Sequence, residues 1–173
     1  MENTAQKEPL EIERKYLIRM PDQTTLESES TKFIDMEQIY LLSDNGSSCR
    51  IRRSRCNGEE TLYFTEKLFI THVTRVERER EISSEEWAAL LSRADPQRRP
   101  IVKRRWCVPY AGHVLEIDVF PVWKDRAFCE AELSSEEEAL ELPDWIEIIR
   151  EVTEDPRYTN NALAVFVPTE ALP

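Results

Sequence analysis

The sequence predicts an α+β fold that is mainly β, in which eight antiparallel strands form a closed barrel or a sandwich and helices lie at the periphery. Two observations lead to this fold class. Charged and apolar residues alternate with a period of two through eight segments, as expected when a strand points successive side chains to opposite faces. Short links with turn-forming residues join several of these segments, which favours antiparallel neighbours.

The predicted strands follow one another along most of the chain, over residues 10–19, 36–43, 48–55, 61–68, 74–82, 100–109, 113–121 and 127–134. Asn45-Gly46 lies in the link SDNGSS at 43–48 and is a strong hairpin signal. Asn57-Gly58 predicts a second hairpin, and Ala111-Gly112 a third. Eight short strands with tight turns are typical of a barrel or a sandwich.

Helices are predicted as short inserts between and after the strands. One is expected at 22–30 and another at 84–93, where Ser83 and Glu86 are spaced as a capping box. A third is expected at 134–141, because serines precede a run of glutamates suited to a helix N-terminus. The tail segments DWIEIIREV and NNALAVF predict one or two further short helices.

Length and composition narrow the class of protein. A chain of 173 residues is long enough for one domain with a core, which we expect over residues 9–173. Residues 1–8 are expected to form a mobile leader. A net charge of −11 argues against non-specific binding of nucleic acid or anionic membranes, and no apolar run is long enough for a membrane span. The cysteines show no CxxC spacing, which predicts reduced thiols and a cytoplasmic location: Cys49, Cys56, Cys107 and Cys129. The sequence is compatible with a homodimer.

Seven of the eight predicted strands place charged or polar residues at positions i and i+2. The rows are Glu11, Glu13 and Lys15; Arg50 and Arg52; Thr65 and Lys67; Glu77, Glu79 and Glu81; Lys103 and Arg105; Glu116 and Asp118; Glu130 and Glu132. A single row of this kind is usually the wet face of a sheet. A wet face mixes polar residue types freely, whereas these rows sort by strand into acidic and basic ones. The sorting favours a shared, charged interior, which would be costly if it were empty and dry.

The residue types in these rows indicate the chemistry. Arginines and lysines that converge from several strands suit a multiply charged phosphate chain. Clustered carboxylates without nearby histidine or cysteine suit Mg²⁺ or Mn²⁺ and do not suit zinc. Together they are the groups needed to hold a polyphosphate and to activate water against its terminal phosphoryl group.

The segment EIERKYLI resembles the ExExK signature of the CYTH, or triphosphate tunnel metalloenzyme, family. Further segments match the family in its own order: RIR at 50–52, TEK at 65–67, VERERE at 76–81, VKRRW at 102–106, LEIDVF at 115–120, CEAEL at 129–133 and PDWIEIIREVTEDPRYTNNALA at 143–164. The closing run is similar to the bacterial short-chain triphosphatase branch. The resemblance covers about residues 9–167 and implies a closed eight-stranded antiparallel β-barrel that forms a triphosphate tunnel.

The resemblance also implies roles for individual residues. The expected metal ligands are Glu11, Glu13, Glu130 and Glu132. The expected substrate-binding residues are Lys15, Arg50, Arg52, Lys67, Lys103 and Arg105. The expected catalytic residues are Lys15, Lys103, Arg105, Glu116 and Asp118. Glu77 and Glu79 match a carboxylate pair that supports the basic side chains or a second metal, and Tyr158 and Asn160 match an element near the tunnel mouth.

The function expected from the sequence is the metal-dependent hydrolysis of inorganic tripolyphosphate to pyrophosphate and phosphate, with Mg²⁺ or Mn²⁺ as cofactor. The partner is then a small-molecule triphosphate, with no nucleic acid and no membrane. A class IV-type adenylyl cyclase and a thiamine triphosphatase are alternatives with the same site residues. A noncatalytic polyphosphate or nucleotide binder is a further alternative, which would need the basic rows but not the full set of metal carboxylates.

Overall fold

A computed structural model describes residues 10–43, 47–69 and 74–173, and gives side chains for 12–43, 47–67 and 76–173. Within these ranges the strands are β1 Leu10–Arg19, β2 Lys32–Leu41, β3 Ser48–Cys56, β4 Glu59–Phe69, β5 Thr74–Glu81, β6 Ile101–Tyr110, β7 His113–Val119, β8 Arg126–Glu132 and β9 Ile148–Glu151. The helices are α1 Gln23–Glu29, α2 Ser84–Leu91 and α3 Asn160–Leu163, and a 3₁₀ helix spans Pro156–Tyr158.

The nine strands form one sheet in the order β5-β4-β3-β2-β6-β7-β8-β1-β9. Every pairing is antiparallel, and β1 also pairs with β5 through three residue pairs that begin at Leu10 and Val76. The prediction of a mainly β, antiparallel fold with peripheral helices is therefore confirmed. The short strand β9 is an addition to the eight strands expected.

Two hairpin turns have the backbone that their sequences predict. Asn57 and Gly58 have φ angles of 52° and 83°, and Ala111 and Gly112 have 46° and 83°. Positive φ at both central residues defines the type I′ turn, whose twist matches that of the flanking strands. The predicted hairpin at Asn45-Gly46 and the predicted leader at 1–8 lie outside the described residues.

Two predicted helices are wrong. Residues 134–141 form no helix, because the Glu138 carboxylate accepts hydrogen bonds from the Ser134 backbone N–H and Oγ at 2.5 and 2.7 Å and fixes a turn. The segment DWIEIIREV contains strand β9 instead of a helix. Strand β9 pairs with β1 at Tyr16–Ile18, beyond the three β1 residues that pair with β5 on that edge. The helices predicted at 22–30 and 84–93, and one in NNALAVF, are confirmed as α1, α2 and α3.

Apolar residues pack on both sides of the sheet. One outer cluster contains Ile18, Trp106 and Ile117 and is covered by Leu26 of α1 and by Ile146. A second outer cluster, around Ile51, is covered by Trp87 of α2. The third cluster lies at one end of the charged rows and is called the aromatic plug: Leu17, Tyr40, Ile101, Phe120, Trp123, Phe128, Val152, Tyr158, Leu163 and Ala164.

The inward rows of four strands change from polar to apolar where they reach this plug. On β1, Glu13 and Lys15 are followed by Leu17 at the same period of two; on β8, Glu130 stands two residues from Phe128. The aromatic plug therefore forms the floor of the charged interior.

All four cysteines are free thiols, as predicted. None of the helices in the described ranges combines the length and the hydropathy that crossing a bilayer requires.

Candidate active site

A cavity of about 1090 Å³ lies on the face of the sheet that carries the charged rows. It brings together most of the side chains predicted for the site: Glu13, Lys15, Arg50, Arg52, Lys67, Glu77, Glu79, Lys103, Arg105, Glu116, Glu130 and Glu132. Asp118 is fully buried behind this lining. The Glu11 side chain lies outside the described part of the chain, although its backbone pairs with Arg75.

The inner cluster, defined as Lys15, Lys103, Arg105, Glu116, Asp118 and Glu130, rests on the aromatic plug. Asp118 is its centre: it binds Lys103 Nζ and accepts two hydrogen bonds from Arg105, from Nε at 2.7 Å and from Nη2 at 2.8 Å. Arg105 also donates to Glu130 at 2.9 Å, and Glu130 receives Lys15 Nζ at 2.7 Å. Forked donation from one guanidinium to several carboxylates fixes the plane of Arg105.

Burial and charge act against each other in this cluster. Burial, together with the neighbouring positive charge of Arg105, lowers the pKa of Lys103 to about 8. Burial alone would raise the pKa of Asp118, but the charges of Arg105 and Lys103 outweigh it and keep that pKa below its ordinary value. In the same way, Lys15, Lys103 and Arg105 hold the pKa of Glu130 well below its ordinary value against burial. Both carboxylates are therefore ionised at neutral pH.

Glu116 differs from the other two carboxylates of the inner cluster. Burial raises its pKa despite an ion pair with Arg105. Its side chain is about one-third exposed and lines the cavity, whereas Asp118 is completely enclosed. Glu116 is thus the carboxylate of this group that can meet a water molecule or a ligand.

The outer cluster consists of Arg50, Arg52, Lys67, Glu77 and Glu79 on β3, β4 and β5. Lys67 Nζ binds Glu77 at 2.5 Å, and Arg52 donates to Glu79 at 2.8 Å. Arg50 lies 4.0 Å from Glu77. Three cations face two carboxylates here, whereas three face three in the inner cluster, so the outer cluster carries the local excess of positive charge. We call the two clusters together the charged wall.

Arg52 shows that the outer cluster has donors to spare. Its guanidinium lies over the Tyr63 ring, 4.8 Å from the ring centroid, and burial lowers its pKa. Its Nε is buried and has no hydrogen-bond partner among the described residues. A buried N–H without an acceptor costs free energy that an anionic ligand would recover.

The four predicted metal ligands are only partly assembled in the described chain. Glu13 and Glu132 stand directly opposite each other across β1 and β8, and both line the cavity. Glu130 stands opposite Lys15 and is engaged by it. No group of three acidic, histidine or cysteine side chains suited to a metal ion occurs among the described residues, which exclude the side chain of Glu11.

Several cavity residues were not predicted from the sequence. Gln38 is buried on β2 and accepts a hydrogen bond from Arg50 at 3.3 Å. Arg98 and Asn161 line the cavity from loop and helix positions. Gln38 and Arg98 lie outside the charged rows, so the alternation that revealed the other residues carried no signal for them.

The two residues of the predicted mouth element both line the cavity but differ in their surroundings. Tyr158 is fully buried in the aromatic plug, with its ring edge-on to Phe128 at 5.9 Å and its hydroxyl bound to Glu170 and Arg150. Asn160 lines the cavity, and its Oδ1 is buried without a partner in the described structure. Tyr158 therefore supports the floor, whereas Asn160 faces the site.

Residues 9–163 match the CYTH domain family. The chain belongs to the CYTH domain family. A CYTH relative called inorganic triphosphatase, from Acetivibrio thermocellus, is 31% identical over 155 residues, which are 88% of this chain and 92% of the relative. The match confirms the family membership and the enzyme class expected from the sequence.

Solved CYTH-like structures agree with the fold. The crystal structure of the inorganic triphosphatase NE1496 is 28% identical, with a TM-score of 0.55 over 91% of this chain and 99% of its own. The PH1819 protein of Pyrococcus horikoshii OT3 is 20% identical and has the same TM-score over 73% of this chain and 80% of its own. This second likeness concerns the fold alone.

Proposed function

We propose that this CYTH protein hydrolyses inorganic tripolyphosphate to pyrophosphate and phosphate with the help of a divalent cation. The observation that carries the proposal is the charged wall, in which six basic side chains from four strands line one cavity with the carboxylates that hold them. The names of the Acetivibrio relative and of NE1496 support the same substrate.

We also propose that the eight long strands close into a tunnel around the cavity. Support comes from the pairing of β1 with β5, the two strands at opposite ends of the eight-strand order. Only three residue pairs join them, whereas seven join β1 to β8. Closure would keep the charged wall out of bulk water, which strengthens its electrostatic action on the substrate.

The donors of the cavity suit a divalent cation by their chemistry, although the three described carboxylates do not by themselves gather into a metal site. Glu13, Glu130 and Glu132 offer only carboxylate oxygens, which suit Mg²⁺ or Mn²⁺, and Glu132 makes no ion pair within the described chain. These residues, with Glu11 as the fourth predicted ligand, would hold the ion. When bound, it would neutralise phosphate oxygens and polarise the phosphorus under attack.

The side chains of the wall have separable tasks in the reaction. Arg50, Arg52 and Lys67 bind phosphate oxygens and neutralise their charge, and Arg105 and Lys103 place the chain over the floor. Glu116 orients the attacking water and takes its proton, since Asp118 is enclosed by cations and has no access to water. The water oxygen then forms the new bond to the terminal phosphorus, and the bond from that phosphorus to the bridging oxygen breaks.

Phosphate release from tripolyphosphate, measured with Mg²⁺, with Mn²⁺ and with EDTA, tests the proposal. We expect turnover with a metal ion and none with EDTA, and pyrophosphate and phosphate as products in equal amounts. Glu116→Gln should lower kcat by about 10²- to 10⁴-fold with a smaller change in KM, as for loss of a general base. Glu85→Gln, on the surface helix α2, is a matched control that should change neither.

Two results would contradict the proposal. One is the absence of phosphate release with every divalent ion. The other is a panel in which ATP is turned over faster than tripolyphosphate and yields cyclic AMP, which would assign the cavity to a cyclase.

A further inference from the structure

Strand β2 lines the cavity with neutral side chains, unlike its two neighbours in the sheet. On one side, β3 carries Arg50 and Arg52 of the outer cluster, and on the other side, β6 carries Lys103 and Arg105 of the inner cluster. The β2 residues that alternate toward the cavity are Ile34, Met36, Gln38 and Tyr40. A ligand that touches the basic residues of both β3 and β6 therefore has to pass over β2.

Gln38 is a buried polar side chain in this neutral strip. Only 1% of its surface is exposed, yet it lines the cavity. Arg50 Nη1 donates a hydrogen bond to its Oε1 at 3.3 Å. Because a guanidinium offers donors only, this contact identifies the oxygen of the amide and leaves Nε2 as the atom that points away from Arg50.

The Nε2 group of Gln38 has donors to spare. It donates to no residue in the part of the chain that the structure describes. Nε2 is also not fully enclosed by protein atoms, so the accessible part of this buried side chain includes the amide nitrogen that faces the cavity. A donor that is kept in a buried site without an acceptor costs free energy, which an anionic ligand would recover.

An amide suits this position better than a cation would. Gln38 stands directly opposite Arg52 across β2 and β3, and like charges at directly opposed positions of a sheet repel each other. Met36, two residues earlier on the same face of β2, stands opposite Lys103 on β6. Gln38 therefore offers a donor between the basic residues of the two clusters without adding a further positive charge.

We propose that Gln38 is a substrate-binding residue, whose Nε2 donates a hydrogen bond to the phosphoryl group that lies between the outer and inner clusters. The Oε1 of the same amide keeps Arg50 beside that group. The identity of the bound chain rests on the proposed function, whereas the position of the donor rests on the contacts of Gln38 and on the strand order.

Calorimetric titration of tripolyphosphate in a double-mutant cycle tests this contact. For Gln38→Met, which keeps the length of the side chain, we expect tripolyphosphate to bind about tenfold more weakly, as for the loss of a hydrogen bond to a charged acceptor. In the Arg50→Met background, Gln38→Met should still weaken binding by at least about threefold, because the amide meets the ligand itself and does not act only by holding Arg50.

Two further variants complete the test. Gln38→Glu keeps an oxygen that accepts from Arg50 but loses the N–H donor, so it should bind tripolyphosphate no better than Gln38→Met. Glu37→Gln is the control: Glu37 is the neighbouring residue on β2, and its carboxylate lies 3.6 Å from Arg53 on the opposite face of the sheet, so binding should change by less than about twofold. Urea unfolding of each variant shows that it is folded.

Wild-type affinity for tripolyphosphate in Gln38→Met or in Gln38→Glu would overturn the proposal. It would also be overturned if Gln38→Met had no further effect once Arg50 is absent, because Gln38 would then only support Arg50. A wild-type chain that binds tripolyphosphate but never releases phosphate would contradict the proposed function and leave the double-mutant cycle as the test of the contact. A wild-type chain that binds no tripolyphosphate would overturn both.

Discussion

The charged wall and the aromatic plug share one interior and are built from the same strands, yet they obey opposite rules. In the plug, Phe128 meets Phe120, Trp123 and Tyr158 edge-on with centroid distances of 5.3–5.9 Å, a packing that stabilises the fold directly. In the wall, buried charges are held chiefly by one another, and such networks add little to stability over an apolar core. The difference indicates that the wall serves a ligand and that the plug carries the stability of this end of the sheet.

The two regions meet at two lysines. Lys15 Nζ lies 4.2 Å from the centroid of the Phe128 ring, and Lys103 Nζ lies 5.8 Å from that of Phe120. Cation–π contact lets the apolar floor receive ammonium groups that it would otherwise exclude. The two regions therefore adjoin at these rings without sharing a charged group.

Substituting Arg105 should have the largest effect, because Arg105 contacts three carboxylates of the wall. In Arg105→Gln we expect tripolyphosphate hydrolysis to fall by at least about 10²-fold. We also expect the free energy of unfolding to fall by about 3–5 kcal/mol, since buried charges lose their partner. Phosphate release and urea unfolding of the same preparation measure both. A fully active variant would show that the wall is not the catalytic region.

Substituting Phe128 should separate stability from activity. Phe128→Leu removes three edge-on aromatic contacts, and we expect the free energy of unfolding to fall by about 1–3 kcal/mol. The kcat of the folded fraction should stay within about threefold of the wild type, because no charged group is removed. A loss of kcat as large as that in Arg105→Gln would erase the distinction between plug and wall.

Substituting Arg52 should lower activity and leave stability almost unchanged, which is the reverse of the effect expected for Phe128. Arg52→Gln removes a guanidinium with a buried, unpartnered Nε, so we expect KM for tripolyphosphate to rise about tenfold. Stability should change by less than about 1 kcal/mol, because the Glu79 carboxylate is 28% exposed and keeps its hydrogen bond from Thr65, so its charge is not left buried without a partner. Arg55→Gln, which removes an exposed arginine from the same strand, is the control. A KM that does not move would contradict the role given to the outer cluster.

The smallest of these effects on stability and substrate binding should come from the titration of Lys103. Burial and Arg105 lower its pKa from 10.5 to about 8, so the folded chain loses this proton as the pH rises through about 8, well before the unfolded chain does. Between pH 8 and 10.5 the unfolded state therefore binds more protons, and the contribution of Lys103 to stability rises with pH in that window.

The same deprotonation should weaken binding of the anionic substrate. We expect the affinity for tripolyphosphate to fall by about three- to tenfold between pH 7 and 9.5. Lys103→Arg keeps its charge throughout this range and so separates the effect from ionisation of the ligand. Identical pH profiles for the two proteins would show that Lys103 does not titrate there.

The strand alternation was sufficient to predict most of the wall, because a period of two is a local property that the folded sheet preserves. It predicted Arg105 and Glu130 on a shared interior face, where the structure joins them. It could not predict Arg98, whose place in the cavity depends on Asp95 and on a helix more than 60 residues away.

The errors have the same origin in long-range structure. The glutamates after Ser134 favour a helix locally. Leu140 and Leu142, however, pack on the outer face of the sheet, and the chain that leads from Ser134 to them is irregular. Residues 148–151 form β9 because an edge of β1 is available to pair with them. Tertiary contacts override local propensity in both places.

The central claim is that the wall serves the ligand and the plug carries stability. Its most direct test measures phosphate release from tripolyphosphate per folded molecule with Mg²⁺, together with the free energy of unfolding, for the wild type, Arg52→Gln and Phe128→Leu. The division between wall and plug predicts that Arg52→Gln loses kcat/KM and keeps its stability, whereas Phe128→Leu loses stability and keeps kcat/KM. Parallel losses of both quantities in both variants, or a wild type that releases no phosphate, would contradict it.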